Sequence, residues 1–85
     1  MIRDELGDLS LFMVVAEEKS FTRAAVTLGV SQSAVSHAVR RLEASVGIRL
    51  LHRTSRKVSV TDAGEKLLAA LKPGISQITA RIEEL

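Results

Sequence analysis

Residues 28–43, "LGVSQSAVSHAVRRLE", constrain the fold more tightly than any other stretch. Val35, Val39, Leu42 and Val46 step by four, three and four residues. At about 100° per residue they fall within one narrow arc of a helix running from Gln32 to Val46. Ser33, Ser36, His37, Arg40 and Ala44 fall on the opposite side, flanked by Gln32 and Arg41. A helix with such a division buries one face and presents the other. Upstream, "EKSFTRAAVTLGVS" carries a shorter apolar pattern: Phe21, Ala24, Ala25 and Leu28. Ser20 or Thr22 can cap that second helix, Gly29 can take the left-handed conformation that ends it, and Val30 can pack back on its last turn. Ser31 then caps the third helix. Two helices joined by about three residues with a glycine in the turn form a helix-turn-helix.

The flanking segments complete a small, mainly helical domain. Leu6, Leu9, Phe12, Met13 and Ala16 place an amphipathic helix over residues 5–18, and Leu11, Val14 and Val15 widen its apolar face beyond what one neighbour covers. Gly47 stops the third helix. Leu50–Arg53 and Val58–Val60 read as two short strands, with Thr54–Lys57 as the turn of a hairpin with a basic tip. Thr61 or Asp62 caps a last helix with Glu65 in its first turn. Leu71, Ile75, Ile78, Ile82 and Leu85 repeat at heptad spacing in that helix, and Leu67 and Leu68 extend the stripe. Pro73 removes the hydrogen bond to the Ala69 carbonyl, which predicts a kink or break there. A chain of 85 residues offers too little domain to cover so long a stripe. The spacing therefore points to a dimer contact through Leu11, Leu67, Leu71, Ile75, Ile78, Ile82 and Leu85.

Charge is distributed unevenly. In residues 1–18, Arg3 stands against Asp4, Glu5, Asp8, Glu17 and Glu18, a net of −4. In residues 19–57, Lys19, Arg23, Arg40, Arg41, Arg49, Arg53, Arg56 and Lys57 stand against Glu43 alone, a net of +7. Residues 58–85 return to −1, with Lys66, Lys72 and Arg81 against Asp62, Glu65, Glu83 and Glu84. A basic middle between acidic ends is a localised footprint for a polyanion, or a merely solvated basic surface.

Other classes find little support. The sequence holds no cysteine, so disulfides and thiolate metal sites are excluded. His37 and His52 are its two histidines, on different elements, and no spacing suggests zinc. "SQSAVS" is not a nucleophile elbow, and no glycine-rich phosphate loop occurs. Neither catalysis nor a cofactor is expected. Two aromatic residues, Phe12 and Phe21, are too few for a single-strand stacking platform. No apolar run reaches the roughly 18 residues of a membrane span, and the N-terminus lacks the basic-then-apolar order of a signal peptide. The chain reads as soluble and cytoplasmic. On the residues alone two readings stay open: a duplex DNA binder, and a protein-interaction module whose basic face meets an acidic partner.

Four blocks, "LFMVVAEEKSFTRAA", "LGVSQSAVSHAVRRLE", "VGIRLLHR" and "VTDAGEKLL", in this order and spacing, resemble the N-terminal DNA-binding domain of LysR-type transcriptional regulators. The likeness runs from about Leu9 to Leu71 and more loosely to the end. It implies a mainly α fold: a winged helix-turn-helix with a small β-hairpin wing over residues 1–61, and a long C-terminal linker helix over 62–85. It further implies sequence-specific binding of double-stranded DNA as a homodimer through that helix, with tetramers left open for a full-length protein. The third helix would enter the major groove, and the wing would lie near the minor groove. The implied contacts are Thr22, Arg23, Ser31, Gln32, Ser33, Ser36, His37, Arg40, Arg41, Arg53, Arg56 and Lys57. A small-molecule effector would belong to a further C-terminal domain that these residues do not include. Ser33 stands where the family often has proline, adding a hydroxyl and a backbone donor at the helix start. Leu51 stands where phenylalanine is frequent, which changes the core under the wing.

Overall fold

A computed structural model describes residues 2–54 and 57–85, with side chains from Leu6 onward. Its elements run α1 (Ile2–Glu18), α2 (Phe21–Leu28), α3 (Gln32–Val46), β1 (Leu51–Arg53), β2 (Val58–Val60) and α4 (Asp62–Glu84). Local chemistry sets nearly every boundary. The Lys19 amide donates to the Val15 carbonyl as Lys19 turns into the left-handed region (φ 56°), closing α1. The Ser20 hydroxyl accepts from the Arg23 amide and opens α2, so Ser20 rather than Thr22 is the cap. Gly29, at φ 71°, ends α2, while the Gly29 and Val30 amides donate to the Val26 and Ala25 carbonyls. The Ser31 hydroxyl then accepts from the Ala34 amide at 3.1 Å and starts α3. Three residues thus reverse the chain between α2 and α3, and each has a defined role.

The core lies where α1, α2 and α3 converge and the hairpin closes over them. Phe12, Val15, Val35, Val39, Leu42, Leu50 and Leu51 are its largest fully buried side chains. Ala24 and Ala25 bring α2 close to this cluster, and Leu68 of α4 joins it from the far side. The arc predicted on α3 is buried over Val35, Val39 and Leu42 but ends there. Val46 is 48 % exposed in the last turn, beyond the reach of α1. Leu6, also expected on the core face of α1, is likewise exposed.

β1 and β2 form a two-stranded antiparallel ribbon in the register Leu51↔Val60, His52↔Ser59 and Arg53↔Val58. The first strand begins one residue later than its apolar run suggests. The Leu50 carbonyl accepts from the Thr61 amide instead of joining the ladder. That bond brings β1 to the start of α4, where the Thr61 hydroxyl accepts from the Gly64 amide and donates to the Arg49 carbonyl. Gly64 packs directly beneath: a Cβ there would collide with the Leu50 carbonyl oxygen and a Val60 methyl.

α4 continues without a break through Pro73. Of the kink or break expected there, the break does not occur; Ala69 and Pro73 both face solvent, where water can reach the carbonyl that proline leaves without a donor. No described helix is long and apolar enough to cross a membrane.

Gly64→Ala is expected to destabilise the fold by roughly 1–3 kcal/mol through this overpacking. Gly7→Ala, with nothing within 4 Å of the added carbon, should stabilise by about 0.5–1 kcal/mol through helix propensity. Urea denaturation of both variants measures the contrast. Equal midpoints for the two would contradict the close seating of α4 on β1.

Candidate nucleic-acid interface

α3 is held on its apolar side and presents its polar side as a continuous surface. Gln32, Ser33, Ser36, His37 and Arg40 surround one open depression of about 340 Å³. All but Ser36 are exposed, and Ser36 is half-buried at the foot of Arg40. The Arg40 guanidinium donates to the Ser36 hydroxyl at 3.3 Å. Gln32 accepts from the Thr22 hydroxyl across the turn, also at 3.3 Å, which orients the first side chain of α3 against the first turn of α2. Small groups at the N-terminal end and a longer cation one turn on give clearance first and reach second.

A second concavity opens beside the first. Ser20, Thr22 and Gln32 from the helix-turn-helix, together with Thr54 and Lys57 from the hairpin, line a cleft of about 300 Å³ with Phe21 and Lys19. The hairpin turn is fixed from within: the Thr54 amide donates to the Lys57 carbonyl, and the Lys57 amide to the Thr54 hydroxyl, at 2.9 and 3.0 Å. Lys57 is exposed at its mouth. Arg56, which the sequence places at the same tip, lies outside the described residues. Arg23 is exposed near Glu18, at 3.7 Å.

Three of the basic residues in this region are engaged elsewhere. Arg41 makes a two-pronged contact with Asp8 of α1, Nη2 to Oδ1 at 3.0 Å and Nε to Oδ2 at 3.2 Å. Hydrogen bonding to Asp8, then its negative charge, raises the Arg41 pKa above its ordinary value. Arg53 turns back into the protein. Its side chain is 25 % exposed, Nη2 donates to Glu43 at 3.3 Å, and the guanidinium lies 5.2 Å from the centre of the Phe21 ring. Arg49 reaches the same Glu43 carboxylate at 3.8 Å. Glu43 is buried, and its Oε2 also accepts from the Leu50 and Leu51 amides at 2.8 and 3.2 Å. By sequence, Arg49 reads as a solvated loop charge and Arg41 as able to pair with a carboxylate of its own chain, but the acids that engage them, Asp8 and Glu43, do not stand out. The available signal is that Glu43 follows Val39 by four residues, which puts a carboxylate on the buried face of α3.

A separate surface, between α1 and α4, is apolar. Leu6 and Leu9 of α1 and Leu67, Leu71, Ile75 and Ile78 of α4 line a groove of about 390 Å³. Ile78 and Ile82 are 59 % and 62 % exposed, and Leu85 is fully exposed. Leu11, like Leu9, Leu67 and Leu71, is partly buried against the protomer's own core. No group of three or more histidine, cysteine, aspartate or glutamate side chains among the described residues can hold a metal ion.

Three helices, a tight turn and a hairpin flanking an exposed third helix define a winged helix-turn-helix. The family model of bacterial regulatory helix-turn-helix proteins of the lysR family matches residues 6–65, and the chain belongs to that family. It is 52 % identical over its whole length to the HTH-type transcriptional regulator PgrR of Escherichia coli, of which it spans 28 %. Among solved structures, that of the BenM DNA-binding domain with catB site 1 DNA superimposes with a TM-score of 0.88 at 34 % identity, covering 93 % of this chain and 88 % of that one. Oxidized OxyR of Corynebacterium glutamicum gives 0.87 at 39 % identity over 93 % of this chain and 24 % of that one. The resemblance seen in the four sequence blocks therefore extends to the fold.

Proposed function

We propose that this chain binds double-stranded DNA sequence-specifically as the DNA-binding domain of a transcriptional regulator, with α3 in the major groove and the hairpin near the minor groove. The observation that carries the reading is the single depression formed by Gln32, Ser33, Ser36, His37 and Arg40 on an otherwise well-seated helix. A major groove admits a helix whose outward side is small and polar, and an arginine can form paired hydrogen bonds with guanine there. The BenM domain was crystallised as a complex with DNA, and its similarity at 34 % identity supports the same partner class for this chain. Thr22, Arg23, Ser31 and Lys57 are placed to hold phosphates, and Arg56 belongs to the wing tip by sequence. Arg41, 65 % exposed while paired with Asp8, stays open to a phosphate, whereas Arg53, 25 % exposed on Glu43, acts from within the protein. The histidines do not favour an enzyme: His37 lies on α3 and His52 on β1.

The apolar groove supports the remaining parts of the proposal. Residues 1–61 form the reading unit, and 62–85 the linker helix, which joins two copies through Leu67, Leu71, Ile75, Ile78, Ile82 and Leu85, with Leu11 of α1. The Leu6–Leu9 edge of α1 completes the surface. A seam with Ile78 and Ile82 more than half exposed is covered by a matching seam, and two copies place two recognition helices on one duplex. The chain spans 28 % of the length of that regulatory relative. A cytoplasmic setting follows from the proposed partner.

Arg40→Ala should cost roughly 1–3 kcal/mol on the duplex recovered by selection from a random pool and relax preference at one base pair. An equal loss on random and selected duplexes would assign Arg40 to a phosphate. Ile78→Asp should convert a sedimenting dimer to a monomer with its helical circular dichroism retained. A dimer that survives this change would place the contact elsewhere.

A further inference from the structure

The cleft between α2 and the hairpin gathers Thr22 of α2, Gln32 of α3, and Thr54 and Lys57 of the hairpin turn. The side chains behind it provide the tie. Glu43, buried near the end of α3, accepts from both the Leu50 and Leu51 amides as β1 begins. It also accepts from Arg53 at the end of β1. Arg53 in turn lies against Phe21, the first residue of α2 and part of the cleft wall. Arg53 Nε is buried and has no hydrogen-bond partner among the described residues, so the guanidinium is held by one carboxylate and by the face of the ring. One carboxylate and one arginine therefore connect α3, β1 and α2.

We propose that Glu43 and Arg53 are positioning residues for DNA: they set the hairpin against α2 so that Lys57 faces the same phosphate run as Thr22 and Gln32. This rests on the DNA-binding reading above. Arg53 acts from behind the cleft rather than as a phosphate ligand. Without it, β1 keeps its pairing to β2, but the ribbon is free to swing away from Phe21. Lys57 then no longer adds to binding, although its own charge is unchanged. The surface geometry of the wing is thus set from the protein interior.

The test is a double-mutant cycle between Arg53→Met and Lys57→Ala in the full 85-residue chain, binding a random-sequence duplex over a range of sodium chloride concentrations. In the wild-type background, Lys57→Ala should lower the slope of log K against log salt by about one, as expected for one lost phosphate contact. In the Arg53→Met background it should change neither slope nor affinity. If Arg53 itself held a phosphate, the two losses would add. If Arg53 served stability alone, Arg53→Met would leave the slope intact and Lys57→Ala would keep its full effect. Either result overturns the proposal. Phe21→Leu keeps the Arg53 charge and removes the ring, so it provides the same cycle should Arg53→Met fail to fold. A wild-type chain that binds no duplex at low salt would instead overturn the DNA-binding reading itself, which separates the two failures.

Discussion

The one-sided burial of α3 is the constraint on which the rest of the structure depends. Val35, Val39 and Leu42 enter a common core with Phe12 and Val15 of α1. Truncating a buried side chain of this kind costs about 2–5 kcal/mol, a large share of what so small a domain can hold. That burial fixes the rotation of α3 about its own axis. A turn of one residue, about 100°, would put Arg40 where buried Val39 lies and Leu42 where exposed Arg41 lies. The reading surface is thus an outcome of packing rather than of any interaction among its own residues. The Arg40–Ser36 contact at 3.3 Å is too slight to orient a helix.

Electrostatics divide the basic segment into two populations. The central stretch carries eight cations against a single acid by sequence, yet that acid, Glu43, engages two of them, and Asp8 and Glu18 of the acidic N-terminal segment engage two more, Arg41 and Arg23. The net charge of a stretch therefore overstates its footprint, because it counts structural and functional cations alike. Arg40 on α3 and Lys57 on the hairpin remain directed outward, one beside each concavity. Asp8 has a further consequence. It lies on α1, the helix whose Leu6 and Leu9 border the apolar groove, and its two-pronged contact with Arg41 links that helix to α3.

Much of this architecture is legible in the sequence because it is local. Ser20, Gly29, Ser31, Gly47 and Thr61 each act on backbone groups a few residues away, so their positions mark the ends of α2 and α3 and the start of α4. The polar side of α3 follows from periodicity alone. The parts that are not legible are long-range. Nothing local shows that Arg53, at the end of a three-residue strand, turns toward a carboxylate ten residues earlier. Nor does anything local pair Arg41 with Asp8, thirty-three residues away. Whether Pro73 ends the helix or is carried within it is likewise decided by the folded chain, where α4 runs on to Glu84. The blocks that resemble the LysR family carry the topology of the wing, since two three-residue strands are too short to be assigned by pattern with any force.

The central claim is that the exposed side of α3 and the adjacent hairpin form one surface for a double helix. Nuclear magnetic resonance titration of the isotope-labelled chain with a selected duplex tests it residue by residue. The account predicts the largest backbone amide shifts from Gln32 to Arg40 and at Lys57, with Leu67 to Ile82 little changed. Shifts concentrated along the α1–α4 groove, with Ser33, Ser36, His37 and Arg40 unmoved, would contradict it.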